Sequence, residues 1–370
     1  ITHSFKFEDS PIAYDLILER KEQLIGVLLD YDTSKEIKNN IDIKTYSNST
    51  NNALNISFIG AGNFAQNAIL PRIKDKCNFV GIVTAEGNAS RYVANKYGFK
   101  YCTDNIKQIF EDKEVGTVFV VTRHNTHAKF CQEALKYGKN VYVEKPLAMS
   151  ILELEEIKTE YEKAGKGLML GFNRRFSLLT ESMMSTLSKD AKKAINIRVN
   201  AGIVPPDHWV HDINIGGGRI IGEVCHFIDL AYYIAGAKIK QINAMVMDNS
   251  PSTQDTVSIN LIFENGSIAN ISYFSNGNKN LAKERIEVFC NGAIFLIDDF
   301  NQLDIYSNNK HTVIKSKGQD KGHSKQFELV ADSLKSGKQF PITFDDIYHS
   351  SFVTLEVIRS IRENRLININ

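Results

Sequence analysis

Residues 55–73 read NISFIGAGNFAQNAILPRI, and this stretch predicts a strand, a tight turn and a helix shaped to hold the pyrophosphate of a dinucleotide. Ile56, Phe58 and Ile59 form the short apolar run that a strand covered on both faces requires. Gly60 permits the turn that ends it. Gly62 has no Cβ, so backbone can approach a phosphate, and Ala65 is small enough for the helix to pack on the strand. Asn63 and Phe64 lie between them and join the cofactor-binding set. The free N–H groups of the helix's first turn, at its positive dipole end, then face the anion. An ordinary strand-turn-helix corner satisfies the same pattern, so the rest of the chain must decide.

Working downstream, 79–84 (FVGIVT) is a second strand. In a nicotinamide-binding domain an acidic residue at its end holds the ribose hydroxyls. Thr84 stands there, followed by Glu86, which favours NAD, while Thr84 with Arg91 could tolerate the extra phosphate of NADP; the reading inclines to NAD. The next apolar run, 115–121 (VGTVFVV), ends in Thr122, Arg123, His124, Asn125, Thr126 and His127. Loops at the carboxyl ends of parallel strands form the ligand crevice, so Thr122, Arg123, His124 and His127 are candidate cofactor contacts, with a helix-capping role open for His127. A further strand, NVYVEKPLAMS at 140–150, ends in Glu144, Lys145 and Pro146. A lysine at the mouth of such a sheet stands where a nicotinamide and a substrate hydroxyl would meet, and can polarise or protonate the reacting oxygen. Glu144 and Lys145 also join the candidate cofactor contacts; a surface lysine paired with Glu144 is the alternative.

Beyond residue 172 the pattern changes. INIRVNAG, IKQINAMVM, DTVSINLIFENGSIANISYF and ERIEVFCNGAIFLIDD alternate apolar and polar residues and turn at Glu264-Asn265-Gly266 and Asn291-Gly292, which predicts antiparallel pairing. Between them, 207–229 reads DHWVHDINIGGGRIIGEVCHFID. Its three consecutive glycines let backbone pass close to a ligand. His226 and Asp229, three apart, would share a face near the start of a helix.

The 370 residues suffice for at least two cores, and 44 basic against 43 acidic side chains leave neither a nucleic-acid-binding surface nor a polybasic membrane tract. No segment is apolar for long enough to span a bilayer, and no signal-peptide pattern opens the chain. The five cysteines are scattered without a CxxC pair, which points to reduced thiols in a cytoplasmic protein with no disulfide framework. No ligand cluster of suitable spacing calls for a metal.

GAGNFA at Gly60, VVTRHNTH at Val120, GKNVYVEKPLAMS at Gly138 and GGGRIIGEVCHFIDL at Gly216 occur in an order and at separations that resemble the glucose-fructose oxidoreductase and inositol dehydrogenase superfamily, Gfo/Idh/MocA, over residues 54–370. The resemblance implies a Rossmann NAD(P)-binding domain at 54–172 and, at 173–370, an α+β substrate and oligomerisation domain with an open, mostly antiparallel sheet. It further implies an oxidoreductase acting on a secondary alcohol or ketone carbon of a sugar, cyclitol or nucleotide sugar, working as a homodimer or tetramer. A cofactor-retaining glycosidase relative and a non-catalytic cofactor sensor are the alternatives. Lys145 and His226 would be the catalytic pair. Other members carry an aspartate four residues before that histidine; here Gly222 occupies the place, with Glu223 beside it, so Glu223 and Asp229 are further candidates. His208 and Trp209, a possible sugar platform, and Arg174 and Arg175, possible partners of an anionic substrate, complete the expected substrate site.

In front of this region, residues 1–31 read as strand, helix and strand, and resemble the closing segment of medium-chain alcohol-dehydrogenase-type enzymes; together with the missing starting methionine, this places the chain nearest the superfamily's bi-domain oxidoreductases, with an upstream domain expected. Residues 32–53, rich in Asn, Ser, Thr and Lys, read as a linker.

Overall fold

A computed structural model describes residues 1–19, 22–34, 40–43, 52–84, 87–188, 190–247 and 255–369. Two compact units make up the chain, Ile1–Asn39 and Asn40–Asn370.

In the first unit, β1 (His3–Lys6) and β2 (Val27–Asp30) pair in parallel across the helix Ser10–Glu19. The second unit begins with a difference from expectation. Residues 40–42, inside the stretch read as a linker, form β3 (Asn40–Asp42), which pairs antiparallel with Tyr101–Thr103. A three-residue edge strand is too short to carry a periodic signature, and only its partner fixes it.

The nucleotide-binding sheet adds β4 (Asn55–Ile59), β5 (Asn78–Val83), β6 (Tyr101–Thr103), β7 (Thr117–Val120), β8 (Asn140–Val143) and β9 (Leu168–Leu170) in the order β3-β6-β5-β4-β7-β8-β9, parallel apart from its β3 edge. Every residue of β4 is buried, as a strand with helices on both faces demands. The helix that follows is not regular. Ala65–Ile69 winds as a π-turn before Leu70–Ile73 resumes the α form, because Pro71 has no N–H to donate. The carbonyls around the break are taken by side chains: Tyr97 Oη donates to Gln66 O at 2.8 Å and Arg72 Nη1 to Ala68 O at 2.8 Å.

The second sheet runs β17-β16-β15-β14-β10-β13-β12-β11-β18, with strands β10 (Ala194–Asn200), β11 (Ile239–Val246), β12 (Val257–Phe263), β13 (Ile268–Phe274), β14 (Glu284–Cys290), β15 (Ala293–Asp298), β16 (Gln302–Ser307), β17 (Lys310–Lys315) and β18 (Ile367–Asn368). Only β10 with β13 is parallel among its pairs. Buried and half-open residues alternate along β12 and β13, so one face packs on the helices Cys225–Ala235 and Phe344–Glu363 and the other is turned outward. Among the described residues no helix is long and apolar enough to cross a membrane.

Candidate active site

The crevice begins at the end of β4. Gly60 has φ +97°, and a Cβ there would lie 2.3 Å from Val121 O, so only glycine lets β4 and β7 end side by side. A Cβ on Gly62 would meet no atom within 4 Å; the space beside it is open at the N-terminus of the helix, as a phosphate cradle requires. Ala65 is fully buried and Asn63 and Phe64 are exposed. The Phe64 ring lies edge-on to His323 at 5.8 Å. Thr84 follows β5 at the crevice, whereas Glu86 lies outside the described residues. These residues fit a dinucleotide at the turn; among the described residues no group of His, Cys, Asp and Glu is placed to hold a metal ion.

After β7, Thr122 Oγ1 is 2.6 Å from Thr126 Oγ1, and the exposed Arg123 guanidinium lies over the Trp209 ring at 5.8 Å. His127 is completely buried, with Nδ1 2.7 Å from Pro146 O and Nε2 3.1 Å from Thr122 O. Burial pushes its pKa down to about 4, so the neutral ring, which has one N–H, donates to only one of these two carbonyls while its packing braces the turn that carries Lys145. His127 is therefore an internal strut and departs from the cofactor contact expected of it.

Glu144 also departs from that expectation. Its carboxyl is buried, accepts from Tyr142 Oη at 2.7 Å, and lies so close to Gly171 that a Cβ there would stand 2.6 Å from Oε1. Burial raises it to about 7 against the downward pull of Lys145. A side chain wedged under β9 supports the lysine and leaves it free of a surface ion pair. The next stretch is pinned in turn by a capping box, Ser150 with Glu153, at the start of the helix Ile151–Ala164.

Lys145 Nζ crosses to the second lobe and donates to Gly222 O at 2.7 Å. Gly222 sits in the π-turn Ile220–Val224 that leads into the helix Cys225–Ala235. His226 is four residues on, on the same side of the turn. Its ring is half-buried, packs at 6.0 Å from Phe172, and has a buried Nδ1 with no partner among the described residues. Burial first, then the charges of Arg174 and Lys145, hold its pKa well below the ordinary histidine value. The site thus joins a cationic donor to a neutral imidazole.

Several expected residues are spent elsewhere. Asp229 takes Arg175 in a two-pronged buried pair, Nη2 to Oδ1 at 2.6 Å and Nε to Oδ2 at 2.8 Å. Arg174 holds Glu284 in the same way at 2.7 and 2.9 Å. Neither arginine is free for a substrate anion, and Asp229 is structural. Glu223 pairs with Arg219 Nε at 2.9 Å and Lys283 Nζ at 3.5 Å; Lys283 and Arg219 overcome its burial and lower it to about 2. It does not replace the missing aspartate. Exposed His208 accepts from Val210 N at 3.2 Å as a cap, and half-buried Trp209 packs edge-on to His124 at 4.8 Å, so the ring is held by protein. Two contributors carried no pattern: the Gly222 carbonyl, since backbone oxygens are not encoded by residue type, and His323, whose Gly322 helix start was its only signal.

The comparisons show the family and the fold. Residues 54–172 match the model described as oxidoreductase family, NAD-binding Rossmann fold, and residues 193–295 match the GFO/IDH/MocA C-terminal domain. The uncharacterized oxidoreductase YrbE of Bacillus subtilis is 24% identical over 252 residues, 65% of this chain and 71% of that protein. The myo-inositol 2-dehydrogenase of Thermotoga maritima is 29% identical over 219 residues, 55% of this chain but only 63% of that protein. Among solved structures, levoglucosan dehydrogenase in complex with NADH and levoglucosan superposes with a TM-score of 0.75 at 16% identity, covering 85% of this chain and 99% of that one; at such identity the likeness is one of fold.

Proposed function

This chain belongs to the Gfo/Idh/MocA oxidoreductase family, and from that premise we propose that it moves a hydride between NAD(P) and the secondary alcohol or ketone carbon of a sugar, cyclitol or nucleotide sugar. The observation that carries the reading is the bond from Lys145 Nζ to Gly222 O, 2.7 Å long, one helical turn from the neutral ring of His226. An ammonium has three donors. With one fixed on the carbonyl, two remain to hold the substrate oxygen and to stabilise negative charge as its O–H bond weakens. His226, kept unprotonated, takes up the hydroxyl proton in oxidation and returns it in reduction. Gly60, Gly62, Asn63, Phe64 and Thr84 would hold the dinucleotide, which when bound supplies the hydride-exchanging ring. The myo-inositol 2-dehydrogenase named above supports a polyol as the substrate class.

The test is the rise in reduced-nicotinamide absorbance on mixing protein and NAD or NADP with a panel of cyclitols, hexoses and nucleotide sugars. Turnover that disappears in Lys145→Ala while the cofactor still binds is the expected result. Undiminished turnover in that variant rejects the mechanism.

A further inference from the structure

The turn after β7 places a third polar group beside Lys145. His124 is 8% exposed, and its Nδ1 lies 2.7 Å from Gly216 O. A carbonyl only accepts, so Nδ1 carries the ring proton and Nε2 is left as a bare acceptor. Burial, helped by the charge on Lys145, pushes the imidazole down to about 3 and keeps it neutral. Among the described residues Nε2 has no hydrogen-bond partner. The carbon between the two nitrogens, Cε1, stands 2.7 Å from where a Cβ on residue 222 would be, and the carbonyl of that same residue receives Lys145 Nζ. His124 and a side chain at 222 therefore exclude each other, and Gly222 is what lets the ring approach. Trp209, edge-on at 4.8 Å, fixes the ring plane.

We propose that His124 is a specificity-determining residue whose Nε2 accepts a hydrogen bond from the substrate hydroxyl next to the one held by Lys145. The inference rests on the assignment of Lys145 and His226 under Proposed function. A donor and an acceptor flanking one residue suit a vicinal diol, in which one oxygen faces the ammonium and the neighbouring O–H faces the imidazole. A lone secondary alcohol would leave Nε2 unpaired inside the site, and sites built to bond a hydroxyl discriminate strongly against analogues that lack it.

Trp209 is the only tryptophan of the chain, so its fluorescence can report polyol binding next to His124. The full-length protein, saturated with NAD, is titrated with myo-inositol and with D-glucose. His124→Asn keeps a donor near the position of Nδ1 and removes Nε2; His124→Gln returns an amide acceptor toward Nε2. The expected result is half-saturation at least tenfold higher in the Asn variant, largely recovered in the Gln variant, with the NAD dissociation constant moving less than the polyol one. Wild-type half-saturation in the Asn variant overturns the proposal, as does equal weakening in both variants together with a lowered melting temperature. A second measurement needs no variant: the wild-type enzyme should show kcat/KM at least tenfold higher for trans-1,2-cyclohexanediol than for cyclohexanol, and equal values overturn the proposal. Absence of any wild-type response to every polyol sinks the parent reading and this one with it, whereas a response indifferent to His124 sinks this one alone.

Discussion

Lys145 Nζ and Gly222 O lie 2.7 Å apart although 77 positions separate them in sequence. The bond ties the end of strand β8 to a π-turn in the other lobe, and it spends one ammonium proton on protein so that the remaining two are directed by the fold. A π-turn exposes carbonyls that a regular α-turn would bond internally, which is why a residue with no side chain can be the lysine's anchor.

The two glycines of the cofactor turn should separate cleanly. Gly60→Ala puts a Cβ 2.3 Å from Val121 O at a φ of +97° and should destabilise the fold by on the order of 3 kcal/mol or more. Gly62→Ala meets nothing within 4 Å, so thermal unfolding should be unchanged while NAD affinity falls. Melting curves and cofactor titrations of both variants check this; equal melting losses would contradict it.

Arg175 and Asp229 are both almost completely buried, with side-chain exposures of 6% and 1%. Arg175→Ala strands the Asp229 carboxylate without a charge partner and should cost about 3–5 kcal/mol in urea denaturation, whereas Asp229→Ala leaves Arg175 with Asp346 at 3.3 Å and should cost less. Replacing the pair by Met and Leu should recover most of that loss, which a substrate-binding role would not predict.

Stability should fall on acidification from about pH 6.5 downward. His124, His127, His323 and His349 are lowered to between about 3 and about 4, and His226 is held well below its ordinary value, in each case by burial first. Below pH 6.5 the unfolded chain therefore binds protons that the native chain refuses, and each such histidine contributes a slope of about 1.4 kcal/mol per pH unit until its native pKa is reached. Glu144, raised from 4.5 to about 7, works in the opposite direction, as do the raised Asp229 and Glu181, while the lowered Glu223 and Glu284 add to the loss at still lower pH. Denaturant midpoints at pH 7, 6, 5 and 4 measure the slope, and a flat profile refutes the assignment of neutral histidines.

Catalysis should share that origin. With His226 held neutral by burial, Arg174 and Lys145, the acid limb of kcat/KM for oxidation should lie below pH 6.5. His226→Asn should lose about 10²–10⁴-fold in kcat with NAD binding retained. An acid limb at the ordinary histidine value would place the base elsewhere.

Much of this was legible in the chain. The buried run at β4, the glycine turn, the strand ending in Lys145 and the alternation of β12 and β13 depend on local spacing, and local spacing is what sequence displays. Arg174 and Arg175 read as possible partners of an anionic substrate, Glu223 as a stand-in for the aspartate that the family resemblance implies, and Asp229 as sharing a helix face with His226. Their partners, Glu284, Asp346 and Lys283 among them, are remote in the chain, and only long-range packing revealed that these charges neutralise one another.

By itself the sequence determined the order of elements, the glycine turn after β4 and the candidacy of Lys145 and His226, because strand period, glycine geometry and residue chemistry are properties of neighbouring residues. The tertiary structure alone decided which charges stay available. Burial penalises an unpaired ion far more than local pattern can signal, so the fold paired Arg174, Arg175, Asp229 and Glu223 with partners, left Lys145 on a backbone oxygen, and brought His124 against the bare Cα of Gly222.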